Sequence, residues 1–155
     1  METFKAGFSR TVITPPNGTP ISGYFFERLA TGALDDLELN TVAVTDGGRT
    51  VILIVADLLM ISLPRMEMHR KAVAQGTGVP MEAVFISCTH THTGPEVGMG
   101  QEYASSWERT LSDYLVTGAQ LAMEDLADAQ VETAQGRVDR ISFIRRFFMK
   151  DGSVR

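Results

Sequence analysis

Two histidines stand in a short polar run that follows an apolar segment. Residues 88–95 read CTHTHTGP, and one residue separates His90 from His92. If residues 89–93 stay extended, the two imidazoles project to the same side, because side chains alternate along a strand. Zinc takes imidazole nitrogen readily, and a catalytic zinc usually has three protein ligands and one open position. The pair therefore predicts a metal site or an acid–base pair, with two incidental histidines in a solvated loop as the alternative.

Three other residues are candidates for chemistry. Asp57 ends the most apolar segment of the chain, where an unpaired carboxylate would be costly to bury. It could be a second metal ligand or could orient a histidine, and a loop aspartate that caps the next turn is the alternative. Cys88 could be a nucleophile, although a buried strand cysteine is the commoner role. We expect His69 to lie within a helix, in a surface or helix-packing role.

The hydrophobic pattern predicts three strands that would position these residues. Alternation over residues 37–44 favours a half-buried strand, and the continuous apolar run 50–56 favours a central strand buried on both faces. A third strand, 83–88, leads directly into the histidine run. Active sites of α/β folds gather at the carboxyl ends of the strands. We therefore expect 50–56 and 83–88 to be neighbours that place Asp57 close to His90.

Helices and further strands complete the predicted architecture. Ser62 can cap a first helix that ends near Gly76 and Gly78. A second helix is predicted from about residue 104 to 127. Strands are also predicted over 131–138 and 141–148, and 14–36 reads as a long surface loop. The predicted fold is α/β, with a mixed, partly parallel sheet flanked by helices. The apolar face of the second helix would comprise Trp107, Leu111, Tyr114, Leu115, Gly118, Leu121 and Ala122.

The last residues predict a hairpin. Asp151 and Gly152 form a strong turn signal after an apolar strand, but only three residues follow. A hairpin with a short return arm leaves an open strand edge, which native chains avoid. We expect residues 1–155 to be the N-terminal part of a longer domain, truncated after 155. The open edge would be covered by a missing C-terminal portion or by homo-oligomer formation.

Composition narrows the class of protein. The chain has 155 residues, of which 44% are hydrophobic and 21% charged, as in a globular protein with a real core. Its net charge of -5 argues against a nucleic-acid partner. No apolar run has the length of a membrane span. The first residues lack the features of a signal peptide, which predicts a cytoplasmic protein as given, or a secreted one if a leader was removed.

Several stretches resemble the neutral/alkaline (non-lysosomal) ceramidase family. Residues 87–95 (SCTHTHTGP) are similar to the family's THTHSGP signature. Residues 6–15 (AGFSRTVITP) resemble its opening segment, and 56–62 (ADLLMIS) resemble its ADLxMI segment. The pairs Gly23-Tyr24 and Thr31-Gly32 also fall where the family has them. The resemblance spans nearly the whole chain and implies a zinc-dependent amidohydrolase.

The resemblance implies a role for four residues. His90 corresponds to a zinc ligand, and His92 to a histidine that contacts the reacting carbonyl. Asp57 corresponds to a ligand of a second divalent cation, Mg²⁺ or Ca²⁺. Arg145 matches an arginine of this region, although Ile144 stands where the family has asparagine. The family's remaining zinc ligands and its proposed serine nucleophile lie downstream and have no match within residues 1–155.

The expected function is therefore cleavage of the N-acyl amide bond of a sphingolipid-type substrate, with this chain carrying only part of the site. One alternative keeps the metal chemistry and changes the substrate, since fold and metal do not fix specificity. That alternative is a metallohydrolase acting on another amide or on an ester. The other alternative, from a different class, is a non-catalytic metal-binding fragment.

Overall fold

The computed structural model describes residues 4–98 and 106–155. Within them, one sheet contains all the strands, in the order β4-β3-β2-β1-β5. In chain order the elements are β1 (Lys5–Val12), β2 (Glu38–Thr45), β3 (Thr50–Ala56), α1 (Leu63–Thr77), a 3₁₀ turn (Met81–Ala83), β4 (Val84–Cys88), α2 (Ser106–Glu124) and β5 (Ala127–Asp128). No helix in this part of the chain has the length and apolar character needed to cross a membrane.

The sheet is mixed, as predicted. β2 pairs antiparallel with both β1 and β3, whereas β3 and β4 run parallel. Helix α1 makes the connection between the parallel strands, because a parallel pair needs a crossover rather than a tight turn. The α/β class and the predicted pairing of 50–56 with 83–88 are confirmed. β1 was not predicted, because polar residues interrupt its apolar alternation.

The two helices pack on the same face of the sheet. Helix α1 begins after Ser62, which makes no side-chain capping bond, and ends at Gly78, whose φ is 76°. Leu111 and Leu115 of α2 join Val73 of α1 in the core cluster that also contains the buried strand residues. The second predicted helix is confirmed over Ser106–Glu124, and residues 104 and 105 lie outside the described residues. Leu121 was wrongly assigned to its buried face.

The opposite face of the sheet is open in the described part of the chain. Leu53 and Val55 are 42% and 40% exposed, so the prediction that β3 is buried on both faces is wrong. The apolar run is continuous because both faces of β3 carry apolar residues. One face packs against the helices, and the other face is exposed. Cross-strand pairing aligns Leu53 with Phe8, Val42 and Phe85 in one apolar row.

Residues 129–155 form no strand longer than a single bridge. The predicted strands 131–138 and 141–148 are therefore wrong in this structure. An alternating apolar pattern specifies which side of a strand is buried, but a strand also needs a partner for its backbone hydrogen bonds. The predicted Asp-Gly hairpin is confirmed. The Met149 N–H donates to Ser153 O at 2.8 Å, and Gly152 has a φ of 80°.

A buried polar cluster joins the two helices. The Arg65 guanidinium lies 3.4 Å from the Glu108 carboxylate, and both side chains are largely shielded from solvent. His69 is fully buried beside them, with its Nδ1 2.9 Å from Ser112 Oγ. Desolvation, assisted by the nearby positive charge of Arg65, lowers the pKa of His69 to about 4. The helix-packing role predicted for His69 is confirmed.

We expect His69 to make the protein less stable as the pH falls. Its folded pKa of about 4 lies below the ordinary value of 6.5, so between these limits the unfolded chain binds the extra proton. The contribution of His69 is complete above pH 6.5, declines as the pH falls towards 4 and then levels off. The free energy of unfolding should drop by about 1.5 kcal/mol between pH 6.5 and 5 from this group alone.

Urea titrations at several pH values would measure this loss. The matched control is His69→Gln, which keeps a polar partner for Ser112 and cannot titrate. The difference between wild type and control isolates His69 from the carboxylates that also titrate at low pH. An equal pH dependence in both proteins would contradict the prediction.

Candidate functional site

The parallel strands β3 and β4 bring the candidate residues to one edge of the sheet. Ala56 and Cys88 are register partners at the carboxyl ends of these strands. Beyond them the pairing continues, because the Thr89 N–H donates to Ala56 O and the His90 N–H donates to Leu58 O, both at 3.0 Å. The segments that carry Asp57 and His90 are therefore hydrogen-bonded to each other, in continuation of the predicted strand pairing.

The histidine run is not extended, and this part of the prediction is wrong. His90 has a φ of 66°, in the left-handed region that non-glycine residues rarely adopt. The two imidazole rings nevertheless contact each other. The ring centroids of His90 and His92 lie 5.1 Å apart, with the rings at 83°. A backbone held in a sparsely populated conformation is typical of functional sites.

Backbone carbonyls fix the same tautomer in both histidines. His90 Nδ1 lies 3.0 Å from Leu59 O, and His92 Nδ1 lies 2.9 Å from Gly23 O. A carbonyl oxygen can only accept a hydrogen bond, so each Nδ1 must carry the proton. In the neutral rings each Nε2 then has a free lone pair. Metal-binding histidines commonly show this arrangement, with the outer N–H held by a carbonyl.

Asp57 binds a backbone N–H and a threonine hydroxyl rather than a histidine ring. One carboxylate oxygen accepts the Glu38 N–H at 3.1 Å, and the other accepts the Thr89 hydroxyl at 3.0 Å. The carboxylate thus ties the start of β2 to the residue before His90. Gly94 packs against the same segment, where an added Cβ would lie 3.0 Å from Asp57 O. Neither the predicted capping of the next turn nor direct orientation of a histidine ring is seen.

A hairpin that sequence reasoning treated as a surface loop is part of this site. Residues 18–30, which we call the aromatic hairpin, are closed by hydrogen bonds between Gly18 and Ala30 and between Ile21 and Arg28. The Arg28 guanidinium donates to His92 O at 3.0 Å and lies 3.4 Å from the centroid of the Tyr24 ring. Arg28 was not predicted as a site residue, because no motif or periodicity distinguishes it from a solvated loop arginine.

The aromatic hairpin fits closely against the histidine run. The Ser22 N–H donates to Gly94 O at 3.0 Å, and the Glu96 N–H donates to Pro20 O at 2.9 Å. Gly23 has a φ of 94°, and an added Cβ would lie 2.4 Å from His92 Nδ1. Only glycine allows this approach without displacing the His92 ring. The close approach of the His92 ring therefore explains why glycine stands at position 23.

A cleft of about 430 Å³ opens between the aromatic hairpin and the segment after β3, and neither histidine is among the residues that line it. Its lining includes Gly23 and Leu59, the residues whose carbonyls hold the histidines, together with Tyr24, Phe25 and Phe26 of the aromatic hairpin. Arg28, Glu96 and Met60 add polar and apolar surface to its wall. The wall of the cleft thus combines aromatic and charged side chains.

The remaining candidates lie elsewhere or have other roles. Arg145 is exposed in the segment after β5, and no hydrogen bond or ion pair within the described residues joins it to the histidines. Cys88 packs against the core cluster, and burial raises the pKa of its thiol, which disfavours the nucleophilic thiolate. In residues 4–98 and 106–155, no group of three or more His, Cys, Asp or Glu side chains could hold a metal ion.

Comparison with solved structures gives four matching chains, two of which are described here. The neutral ceramidase from Pseudomonas aeruginosa superimposes with a TM-score of 0.66 at 21% sequence identity. A ceramidase complexed with C2 gives a TM-score of 0.65, also at 21% identity. The fold is ceramidase-like. Each match covers 83% of this chain but only 22% of the ceramidase chain. No protein-family model and no curated protein sequence matches the chain significantly.

Proposed function

We propose that this chain carries part of the active site of a zinc-dependent, ceramidase-like amidohydrolase. The observation that supports the proposal best is the paired fixation of the two imidazoles by Leu59 O and Gly23 O. This fixation leaves both Nε2 atoms available at the sheet edge where α/β enzymes collect their catalytic groups. The ceramidase-like fold favours amide hydrolysis as the chemistry.

The residues present fit a zinc ion in part. His90 would supply one ligand through Nε2, while Leu59 O keeps its ring in the required orientation. A bound zinc ion would polarise the scissile carbonyl and lower the pKa of a coordinated water molecule. A catalytic zinc usually has three protein ligands, so the other ligands would come from outside the described residues.

His92 would act on the reacting amide rather than hold the metal. Because its Nδ1–H is committed to Gly23 O, the ring can take up a proton only at Nε2. The resulting imidazolium would stabilise negative charge on the substrate oxygen or deliver a proton to the leaving amine. Arg28 holds the His92 backbone, which limits the positions that the ring can occupy.

Asp57 and Arg145 have weaker support. Both Asp57 oxygens already accept hydrogen bonds, and Mg²⁺ or Ca²⁺ would require several further oxygen ligands. We therefore propose a second-cation role for Asp57 only in combination with groups beyond the described residues. Arg145 would be a substrate-contacting residue only if the segment after β5 moved to the histidine pair.

The substrate class follows from the proposed chemistry and from the aromatic side chains in the wall of the cleft. An N-acyl sphingoid fits both the amide bond and the aromatic lining of the cleft. A metallohydrolase acting on another amide or on an ester would use the same histidine geometry. A non-catalytic metal-binding fragment is the second candidate, because at most two imidazoles of one zinc site lie within the described chain.

We expect the isolated chain to be catalytically silent, and a longer natural polypeptide containing it to hydrolyse N-acyl sphingoids. An incomplete ligand set gives zinc little affinity and no fixed orientation for its water. Both polypeptides would be assayed with a fluorogenic N-acyl sphingoid and with its ester analogue. In the longer polypeptide, His92→Ala should lower kcat/KM by about 10²–10⁴-fold through the loss of acid–base catalysis.

Three outcomes would separate the candidates. Amide turnover that survives both His90→Ala and His92→Ala would contradict the proposed site. Ester turnover without amide turnover would favour the alternative substrate class. Robust turnover by residues 1–155 that disappears in His90→Ala would show that the ligand set is complete within this chain.

A further inference from the structure

The aromatic hairpin exposes three consecutive aromatic side chains. Tyr24 and Phe26 are 53% and 66% exposed, and Phe25 is fully exposed, at 109%. The rings of Tyr24 and Phe26 contact each other at a centroid distance of 5.9 Å, and Arg28 lies over Tyr24. We call Tyr24, Phe25 and Phe26 the aromatic tip. Such exposure of large apolar rings at one turn marks an interaction site.

The backbone beneath the aromatic tip is held firmly. Hydrogen bonds within the hairpin join Gly18, Thr19 and Ile21 to the returning arm at 2.7–2.9 Å. Further bonds from Ser22 to Gly94 and from Glu96 to Pro20 attach the hairpin to the histidine run. A contact surface that is ordered before binding loses little conformational entropy on association. The aromatic tip is therefore carried by an ordered hairpin, which suits it to binding.

Exposure and charge indicate the kind of partner. Phe25 belongs to the wall of the cleft, but its ring is fully exposed, so it can contact a surface outside the molecule. Aromatic side chains are favoured at the interface between lipid and water. The adjacent Glu27 is acidic, Arg28 is already held by Tyr24 and His92, and the whole chain has a charge of -5. Attraction to anionic lipid headgroups is thus disfavoured.

We propose that the aromatic tip docks on the surface of a zwitterionic lipid layer. Phe25 and Phe26 would insert at the headgroup level, and the hydrogen bonds of the hairpin would hold the histidine pair at a fixed position relative to that surface. The consequence for catalysis rests on the proposed function, because a lipid amide would then reach the cleft from the layer in which it resides. The docking itself requires neither metal nor hydrolysis.

Tryptophan reporters test this proposal on the full chain. The only native tryptophan, Trp107, is buried, and its indole donates to Ile13 O, so it gives a constant background. Phe25→Trp would be compared with Phe143→Trp, since Phe143 is also strongly exposed, at 79%, in the segment after β5. With phosphatidylcholine vesicles, the emission of Phe25→Trp should shift to shorter wavelength and be quenched by brominated lipid. The Phe143→Trp reporter should show neither change.

A loss-of-binding pair completes the test. Replacing Phe25 and Phe26 by Ser should lower the vesicle partition coefficient on the order of tenfold or more, because two apolar rings are removed. Replacing Phe143 and Phe148 by Ser should not lower it. Circular dichroism and thermal melting would verify that both double variants remain folded. Added anionic lipid should not strengthen the binding of the wild-type chain.

Several results would overturn the proposal. These are equal quenching of both reporters, equal loss of binding in both double variants, or no partitioning of wild type to phosphatidylcholine. A concentration-dependent shift of the Phe25→Trp emission without lipid would assign the tip to a second copy of the chain. Vesicle partitioning is measured without metal or substrate. A failure of hydrolysis would therefore not contradict lipid docking, and a failure of docking would not contradict the proposed hydrolysis.

Discussion

In a longer natural polypeptide that contains this chain, His90→Ala should weaken zinc binding by about 100-fold or more, whereas His92→Ala should weaken it much less, since a catalytic zinc depends on only three protein ligands. The family resemblance assigns only His90 to the metal, and the structure holds its ring through Leu59 O with Nε2 available. Both histidines have the same type of carbonyl partner, so geometry alone does not distinguish them. Their different effects would therefore test the assignment of roles directly.

Isothermal titration of the longer polypeptide with zinc would measure these affinities, and metal analysis of residues 1–155 purified without added zinc would complement them. His69→Gln is the matched control, because it removes the remaining histidine of the chain from a buried position away from the sheet edge. Its zinc affinity should equal that of wild type. Equal losses in His90→Ala and His92→Ala would show that the assignment is wrong. An affinity no better than that of an unstructured histidine peptide would favour a non-binding fragment.

The central part of the fold could be predicted from the sequence because local patterns and tertiary packing agree there. β3 and β4 are short apolar runs bounded by turns, and α1 ends at Gly78, which adopts the left-handed conformation expected of a helix cap. The parallel pairing follows from the intervening helix, which a parallel connection needs. These local signals are sufficient to place the end of β3 beside the histidine run.

The hydrophobic pattern did not predict burial correctly where burial depends on which other element covers a face of the sheet. The run in β3 reads the same whether one face or both are covered, so the exposed Leu53 and Val55 could not be foreseen. The alternating pattern after residue 131 is likewise typical of a strand, but it does not indicate which strand would pair with it. β1 has polar residues, including Ser9 and Thr11, on its helix-facing side, where they pack beside Gly118. Because polar residues stand at these buried positions, the hydrophobic alternation that would have predicted the strand is absent.

The candidate site was predictable in its residues but not in its conformation. Histidines separated by one residue after an apolar strand indicated a pair of imidazoles at the sheet edge. The left-handed turn at His90 and the fixation of both rings by carbonyls depend on distant backbone from Gly23 and Leu59. Arg28 became visible as a site residue only through its contacts with Tyr24 and the His92 carbonyl. Such long-range backbone contacts leave no periodic signal.

The ion pair between Arg65 and Glu108 gives the largest expected effect on stability. Glu108 is fully buried, with Arg65 nearby and the Gly98 N–H donating to its carboxylate at 3.2 Å. Removing one member of a buried pair leaves the other charge desolvated and uncompensated. Glu108→Ala should therefore lower the free energy of unfolding by about 3–5 kcal/mol. Glu124→Ala, an exposed change on the same helix, should alter it by less than about 0.5 kcal/mol.

A double-mutant cycle in urea would separate the charge pair from the packing around it. Arg65→Met combined with Glu108→Leu removes both charges and keeps apolar volume, so the loss should be smaller than for Glu108→Ala alone. Glu108→Gln keeps an acceptor for the Gly98 N–H and removes only the negative charge. If this variant is destabilised nearly as much as Glu108→Ala, the lost compensation of the arginine charge is the main cost. Fully additive losses in the cycle would show instead that Arg65 and Glu108 contribute independently, and that the contact at 3.4 Å does not couple them.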